Sequence, residues 1–362
     1  MTRLTDLFQE EGQSPWLDNL KRSWLHSGEL EDWVTKGVRG VTSNPSIFEK
    51  AMTDTDDYDQ EFKELIADGK SVTECYWELV ISDILGALNV LKPVFDSSKG
   101  SDGFVSVEVD PRLARETSDT LNAARSLHNR IDEPNVLIKI PATRESLPAV
   151  ETMISEGRSV NVTLIFSLSR YIEVMEAYIS GLENCSGDLS HISSVASFFI
   201  SRTDTEVDKR LDSIGSQRSE ELKGRAAVAL GQVAYSLFKK TFSGPRWEAL
   251  ESRGARVQRP LWASTSTKNP DYLDTLYVDT LIGPDTVNTL PNNTIEAFED
   301  HGSVARTVDL SCHKAEQILA EITSLGIDFE DVGDVLETEG IDSFISSFEN
   351  LIQSLATKAS SF

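Results

Sequence analysis

Short apolar or alternating runs of strand length recur along the chain, and longer stretches of helical periodicity separate them. Eight runs have this character, at residues 16–20, 40–44, 105–110, 136–141, 160–166, 194–200, 260–264 and 285–291. From the third run to the sixth, each interval has about the length of one helix with two loops, which suits a right-handed βα crossover. This spacing predicts parallel strands that alternate with helices.

Helical signals fill the intervals and the C-terminal end. Asp110 and Pro111 are typical of an N-cap followed by proline at the first helical position. An apolar stripe predicts a helix over about 341–358 that packs on the barrel, formed by Ile341, Phe344, Ile345, Phe348, Leu351, Ile352 and Leu355. No linker or repeat divides residues 1–362. The pattern therefore favours one α/β domain, a single (β/α)8 TIM barrel with additional helices in its two longest intervals, over an open doubly wound sheet.

The charge balance is strongly acidic, since 34 Lys and Arg against 59 Asp and Glu give a net charge of −25. Such a surface disfavours nucleic acid as a partner. No apolar run approaches the roughly 20 residues that span a bilayer, and the first residues lack the apolar core of a secretory signal. Three distant cysteines form no C-x-x-C pair. We therefore expect a cytoplasmic protein without membrane or nucleic-acid partners.

Charged residues interrupt three of the predicted strands. Alternation places Glu108 opposite the valine face of its strand, and it places Lys139 inward between apolar neighbours. Asp18 interrupts the first run. Polar residues on other strands share the inward positions, namely Asn44, Asn161, Thr163, Ser197 and Ser264. Taken alone, the lysine is typical of a snorkelling side chain and each carboxylate is typical of an ion pair. Three such charges inside one barrel are costly and do not serve a purely structural core. Their coincidence indicates an active site at the C-terminal mouth of the barrel.

These residue types suit chemistry on a carbonyl compound. A lysine shielded from water has its ammonium form disfavoured, so a neutral amine becomes available to attack a carbonyl and form a Schiff base. Two nearby carboxylates divide the proton transfers, one at water and the imine carbon, the other at a substrate hydroxyl. Arg202, just after the sixth run, suits either a phosphate clamp or an ordinary surface ion pair.

Metal and nucleotide chemistry find no sequence support. The five histidines are scattered without H-E-x-x-H or another ligand spacing. No G-x-G-x-x-G follows a strand, and no G-x-x-x-x-G-K-[ST] occurs. We expect neither a metal nor another cofactor, and metal-dependent aldol chemistry is disfavoured.

The segment Gly-Val-Thr-Ser-Asn-Pro-Ser-Ile-Phe at 40–48 resembles the T-[ST]-N-P-[ST] signature of the transaldolase family. Segments 107–110, 137–141 and 161–166 are similar to the third, fourth and fifth barrel strands of that family, and the resemblance to its longer bacterial branch extends over nearly the whole chain. It implies that Lys139 forms the Schiff base. It also implies that Glu108 is an acid/base acting through a water held with Thr163, and that Asp18 is the acid/base at the substrate hydroxyl.

The resemblance further implies which residues contact the substrate. Asn44, Asn161, Thr163 and Ser197 would contact the dihydroxyacetone moiety or the catalytic water, and Arg202 would hold the phosphate. Many relatives have Ala-Ser-Phe-Arg-Asn on the seventh strand, whereas this chain has Ala-Ser-Thr-Ser-Thr-Lys-Asn at 263–269. The second phosphate-binding arginine is absent, and its candidate replacements are Ser264, Ser266 and Lys268.

The implied activity belongs to the pentose phosphate pathway. It transfers a dihydroxyacetone unit from sedoheptulose 7-phosphate to glyceraldehyde 3-phosphate and yields erythrose 4-phosphate and fructose 6-phosphate. A fructose-6-phosphate aldolase is the alternative within the family, but that branch tends to carry Gln and Tyr where this chain has Glu108 and Phe199. A non-catalytic sugar-phosphate-binding barrel is the third hypothesis. Retention of Lys139, Glu108 and Asp18 together argues against it.

Overall fold

The computed structural model describes residues 2–53 and 55–361, and in them eight parallel strands close into a barrel in sequence order. Each strand pairs with the next, and the eighth pairs with the first. The strands are β1 Gln13–Leu17, β2 Val41–Thr42, β3 Val105–Glu108, β4 Val136–Pro141, β5 Val160–Ile165, β6 Ser194–Phe199, β7 Arg259–Ala263 and β8 Thr286–Leu290. The predicted (β/α)8 TIM barrel is confirmed.

Helices surround this barrel. They are α1 Arg3–Glu11, α2 Arg22–Ser27, α3 Glu29–Thr35, α4 Pro45–Thr53, α5 Asp59–Ala67, α6 Val72–Ser97, α7 Thr117–Ile131, α8 Leu147–Ser155, α9 Leu168–Asn184, α10 Ser201–Ile214, α11 Gln217–Leu222, α12 Ala226–Thr241, α13 Pro245–Glu251, α14 Leu276–Asp279, α15 Asn292–His301, α16 Cys312–Ser324 and α17 Phe329–Ala359. Extra helices fall in the two long intervals, between β2 and β3 and between β6 and β7, as expected, and others lie before β1, between β1 and β2 and after β8. Within the described ranges, no helix is long and apolar enough to cross a membrane.

The first strand differs from the prediction, because β1 begins three residues before the expected run and ends at Leu17. Its first residues are polar, yet Gln13 and Ser14 are fully buried. Gln13 donates to the Leu281 carbonyl at 2.8 Å, and the Ser14 hydroxyl donates to Asp102. Partners from distant segments therefore stabilise polar strand positions that hydropathy alone excludes. As a result, Asp18 follows the strand instead of lying within it.

The C-terminal helix starts earlier than the expected 341, since α17 begins at Phe329. Asp328 caps it by accepting from the Glu330 amide at 2.9 Å. The apolar stripe did not reveal the first three turns because glycine forms part of their packing face. A Cβ on Gly333 would lie 2.9 Å from the Ser167 Cβ, and one on Gly340 would lie 3.1 Å from Leu164 Cδ2. The two glycines thus let α17 lie close against the carboxyl end of β5 and the residues that follow it.

An apolar layer fills the barrel below this end. Trp16, Leu137, Leu261 and Val287 have no exposed surface and belong to one cluster inside the barrel. The alternate strand positions pack outward against the helices in a second cluster, which includes Val105, Val107, Ile138, Ile140, Val160 and Val162. Above this layer, Glu108, Lys139 and Asn161 occupy inward strand positions near the mouth where TIM-barrel enzymes carry their chemistry.

Candidate active site

Lys139 lies at the centre of the inner polar layer. In the strand register it is paired with Glu108 on β3 and with Asn161 on β5. Neighbouring positions of parallel strands point to the same face, so all three side chains enter the barrel together. The Lys139 Nζ lies 3.2 Å from Glu108 Oε2 and donates to the Ser43 carbonyl at 2.9 Å. This arrangement fixes a buried amine beside a buried carboxylate.

The Glu108 carboxylate is poorly satisfied by the protein. Both oxygens are buried, and neither accepts a hydrogen bond of good geometry within the described chain, although Oε2 contacts the Lys139 amine. The Thr163 hydroxyl is likewise buried without a partner in the same residues. Burial raises the pKa of Glu108, an effect that the Lys139 charge opposes and Asp18 reinforces. Glu108 therefore combines free acceptor capacity with an increased tendency to hold a proton.

Asp18 approaches the same region from the end of β1. Its backbone amide donates to the Leu290 carbonyl at 2.9 Å, and the Thr42 hydroxyl donates to its carboxylate at 2.7 Å. Burial raises the pKa of Asp18, whereas the Thr42 hydrogen bond and the charges of Lys139, Lys268 and Arg202 lower it. A second carboxylate thus faces the cavity with its orientation fixed by β2 and β8.

Side-chain amides and hydroxyls form a chain across β3, β5 and β6. Ser197 donates to Asn161 Oδ1 at 2.7 Å, and Asn161 Nδ2 donates to the Ser106 hydroxyl at 3.1 Å. Asn44 accepts from the Ile47 amide at 3.0 Å at the start of α4. These bonds determine which way the buried Asn161 amide points, so its contacts to a ligand are preorganised.

A bulge in β5 reshapes the wall above Thr163. The register against β6 shifts between Val162 and Ile165, and Leu164 has a φ of +62°. This is an uncommon conformation for leucine, and bulges of this kind redirect side chains next to functional sites. The Leu164 side chain consequently joins the inner apolar cluster, where it lies under Gly340 of α17.

A cavity of about 130 Å³ opens at this mouth. Nine of the eleven site residues expected from the sequence line it: Asp18, Asn44, Lys139, Thr163, Ser197, Arg202, Ser264, Ser266 and Lys268. The other two, Glu108 and Asn161, lie beneath and contact Lys139 and Ser197, respectively. The structure thus brings together residues from seven of the eight strands or the loops that follow them.

Two cations lie at the rim without carboxylate partners within the described ranges. Arg202, the second residue of α10, has no ion pair there, and its guanidinium carbon is 5.4 Å from the centre of the Phe199 ring. Lys268 donates to the Ser266 hydroxyl at 2.8 Å. Burial lowers the pKa of both groups, and the charge of Arg202 lowers that of Lys268 further. An anion bound between them would replace the missing counter-charge.

Six further residues line the cavity that were not among the expected site residues, and three of them shape it most directly. Thr42 and Thr289 line the cavity on the side of Asp18, and their hydroxyls are 2.6 Å apart. Phe344 of α17 covers the opposite side, with its ring centre 6.0 Å from the Lys139 Nζ. Strand alternation could have revealed Thr289, and the C-terminal stripe includes Phe344, but nothing in the sequence shows that this helix reaches Lys139.

No group of three or more His, Cys, Asp and Glu side chains could hold a metal ion in the part of the chain that the structure describes. The site therefore consists of one amine, two carboxylates, neutral hydrogen-bonding groups and a cationic rim.

Known proteins provide an independent comparison. Residues 15–355 match the family model described as Transaldolase/Fructose-6-phosphate aldolase. A protein named transaldolase from Parafrankia sp. (strain EAN1pec) is 48% identical over 357 residues, which are 97% of this chain and 96% of that protein. The transaldolase of Mycobacterium tuberculosis (strain ATCC 25618 / H37Rv) is 49% identical over 348 residues, which are 94% of this chain and 93% of that protein. The chain therefore belongs to the transaldolase/fructose-6-phosphate aldolase family, and it is an enzyme of the transaldolase class.

Proposed function

We propose that Lys139 is the nucleophile that carries a dihydroxyacetone unit from sedoheptulose 7-phosphate to glyceraldehyde 3-phosphate. The products are erythrose 4-phosphate and fructose 6-phosphate. The observation that carries this proposal is the buried Lys139 amine, held 3.2 Å from the Glu108 carboxylate at the floor of a cavity with an unpaired cationic rim. A sugar phosphate would place its carbonyl carbon beside the Lys139 amine at the floor of the cavity and its phosphate at the cationic rim.

Glu108 acts in forming and hydrolysing the imine. The neutral amine attacks the C2 carbonyl, and the resulting carbinolamine loses water when a proton reaches its hydroxyl. The raised pKa of Glu108 suits it to give and recover this proton. The unpartnered hydroxyl of Thr163 supports its role in holding the water that Glu108 activates.

Asp18 acts in the cleavage step. It removes the proton of the C4 hydroxyl, the C3–C4 bond breaks, and the electron pair moves through C2 onto the iminium nitrogen. An aldehyde leaves, and an enamine remains on Lys139 until the acceptor aldehyde reverses the sequence. Burial raises the pKa of Asp18 and so makes it a stronger base than an exposed aspartate.

The remaining polar residues bind the substrate. Asn44, Asn161 and Ser197 bind the hydroxyls of the dihydroxyacetone unit. The phosphate is held by the cationic rim and its hydroxyls, formed by Arg202, Ser264, Ser266 and Lys268. We also propose that the enzyme works in the cytoplasm, because all three cysteines are free and two of them are buried.

Trapping with borohydride tests the nucleophile and the enzyme class together. Treatment with fructose 6-phosphate should leave a reduced three-carbon adduct on Lys139, located by mass spectrometry of peptides. Lys139→Arg should abolish the adduct because a guanidinium stays protonated. The matched control, Lys240→Arg, changes an exposed lysine of α12 and should retain it. An adduct on another lysine, or none in an active preparation, would show that Lys139 is not the nucleophile.

A further inference from the structure

Lys268 lies on an extended loop between β7 and α14. Its position is exposed, so the surrounding protein does little to fix its side chain. A lysine side chain is long and flexible, so it binds a phosphate at a defined place only if its backbone is held. The beginning of the loop is anchored, because the buried Thr265 hydroxyl donates to Asn288 Oδ1 at 2.9 Å. Among the residues that the structure describes, the amine donates only to the Ser266 hydroxyl, at 2.8 Å.

Tyr272 anchors the far side of the loop. Its hydroxyl donates to Asp208 Oδ2 at 2.6 Å, and Asp208 Oδ1 accepts from the Gly224 amide at 2.9 Å. Asp208 belongs to α10, the helix that carries Arg202 six residues earlier. One rigid helix therefore provides the first rim cation and also the attachment point of the loop that carries the second.

Packing limits where the Tyr272 ring can lie. Gly224 has a φ of +68°, and a Cβ there would come within 2.7 Å of Tyr272 Cζ, so the ring lies directly against the glycine backbone. The Tyr272 amide also donates to the Asn269 carbonyl at 3.2 Å, which closes a turn immediately after Lys268. The position of Lys268 relative to α10 is therefore fixed by three features: the packing of the Tyr272 ring, its hydroxyl and this turn.

A second cavity, of about 260 Å³, lies behind the loop and is lined by Asp208, Lys209, Lys268, Asn269 and Tyr272 among others. Lys268 borders both this cavity and the one above Lys139. If the loop were released from α10, the lysine would have room to turn away from Arg202. The charge of Arg202, which repels the Lys268 amine, favours such a displacement.

We propose that Tyr272, through its hydrogen bond to Asp208, is a positioning residue that holds Lys268 beside Arg202, so that both cations bind the same substrate phosphate. This inference rests on the phosphate site of the proposed function. It explains how a chain without the second arginine of many relatives retains a two-cation clamp.

The test compares Tyr272→Phe, which removes only the hydroxyl, with Lys268→Met. Tyr272→Phe should raise the KM for fructose 6-phosphate roughly two- to tenfold, the effect of one hydrogen bond, with kcat and the KM for unphosphorylated fructose unchanged. Lys268→Met should raise the same KM further. Adding Tyr272→Phe to Lys268→Met should have no additional effect, since the hydroxyl acts through the lysine.

Tyr235→Phe is the matched control, because that hydroxyl donates to the Pro284 carbonyl at 3.1 Å, away from the cavity. It should leave both KM values unchanged. If Lys268→Met raises the KM for fructose 6-phosphate but Tyr272→Phe does not, or if Tyr272→Phe impairs fructose equally, the positioning role is wrong. If Lys268→Met itself has no effect on that KM, the proposed phosphate site is wrong, and the positioning role fails with it.

Discussion

Replacing Arg202 by methionine separates binding from stability. The guanidinium has no carboxylate partner within the described residues, so no ion pair is lost. The substitution removes a cation–π contact with Phe199, worth about 0.5–1 kcal/mol, and the longer-range attraction of Glu339 and Asp18. It also relieves burial of the charge and repulsion from Lys268. These effects oppose one another. We expect the free energy of unfolding to change by less than about 1 kcal/mol.

The effect on substrate should be much larger. A charge-assisted hydrogen bond contributes about 1.5–3 kcal/mol, so Arg202→Met should raise the KM for fructose 6-phosphate roughly 10- to 150-fold. Unphosphorylated fructose has no group for this site, and its KM should hardly change. Inorganic phosphate should raise the Tm of the unmodified enzyme, and a much higher concentration should be needed for the variant.

Steady-state kinetics with both donors and thermal unfolding with increasing phosphate measure these quantities. The reasoning fails if Arg202→Met lowers the Tm by many degrees and impairs both donors equally, since Arg202 would then be structural. It also fails if phosphate stabilises the variant and the unmodified enzyme at the same concentrations.

Three further predictions concern the floor and roof of the cavity. Asp18→Ala should still condense with the donor but stall before cleavage, so borohydride should trap a six-carbon adduct. Glu108→Gln should instead slow imine formation itself. A three-carbon adduct formed at the normal rate in Asp18→Ala would contradict this division of roles. Because burial raises the pKa of Asp18, its ionised form destabilises the fold above the unfolded value of about 3.9. Asp18→Asn should therefore raise the Tm at pH 7 and give no gain near pH 3, which thermal unfolding at both pH values checks. Phe344→Ala should lower the free energy of unfolding, measured in urea, by about 3–5 kcal/mol, whereas Phe344→Leu should lower it clearly less. Equal losses for the two variants would mean that the ring is not closely packed over the cavity.

The sequence predicts the middle strands well because their outer faces are continuous valine and isoleucine positions. That pattern fixes the register of β4, and with it the inward direction of Lys139. It fails at β1, where the side-chain amide of buried Gln13 donates to a carbonyl 268 positions away in the chain. The β5 bulge at Leu164 is missed for a related reason, since its conformation depends on packing under a helix that lies far along the sequence.

In the site, too, local sequence features can be predicted, whereas features that depend on distant contacts cannot. The three charged catalytic candidates, Lys139, Glu108 and Asp18, each lie in an otherwise apolar strand or at its end, and one sequence can reveal such a local contradiction. The loop that carries Lys268 has no such signature, because its geometry depends on the Tyr272 hydroxyl reaching Asp208 on another helix. Residue types at strand ends are therefore predictable, whereas the supports that orient loop residues require the structure.

The charge distribution reconciles an acidic protein with an anionic substrate. A net charge of −25 repels phosphates at long range, but salt screens exposed charges beyond roughly 8–10 Å. At the mouth, Arg202 and Lys268 form no ion pair within the described chain, although Glu339 and Asp18 attract Arg202 from a longer distance; partial burial lowers the pKa of both cations. A phosphate bound between them, as proposed above, would supply the counter-charge, whereas a neutral sugar would not. On the proposed phosphate site, selectivity for phosphorylated substrates would arise from these two rim cations, and it would not require a basic protein surface.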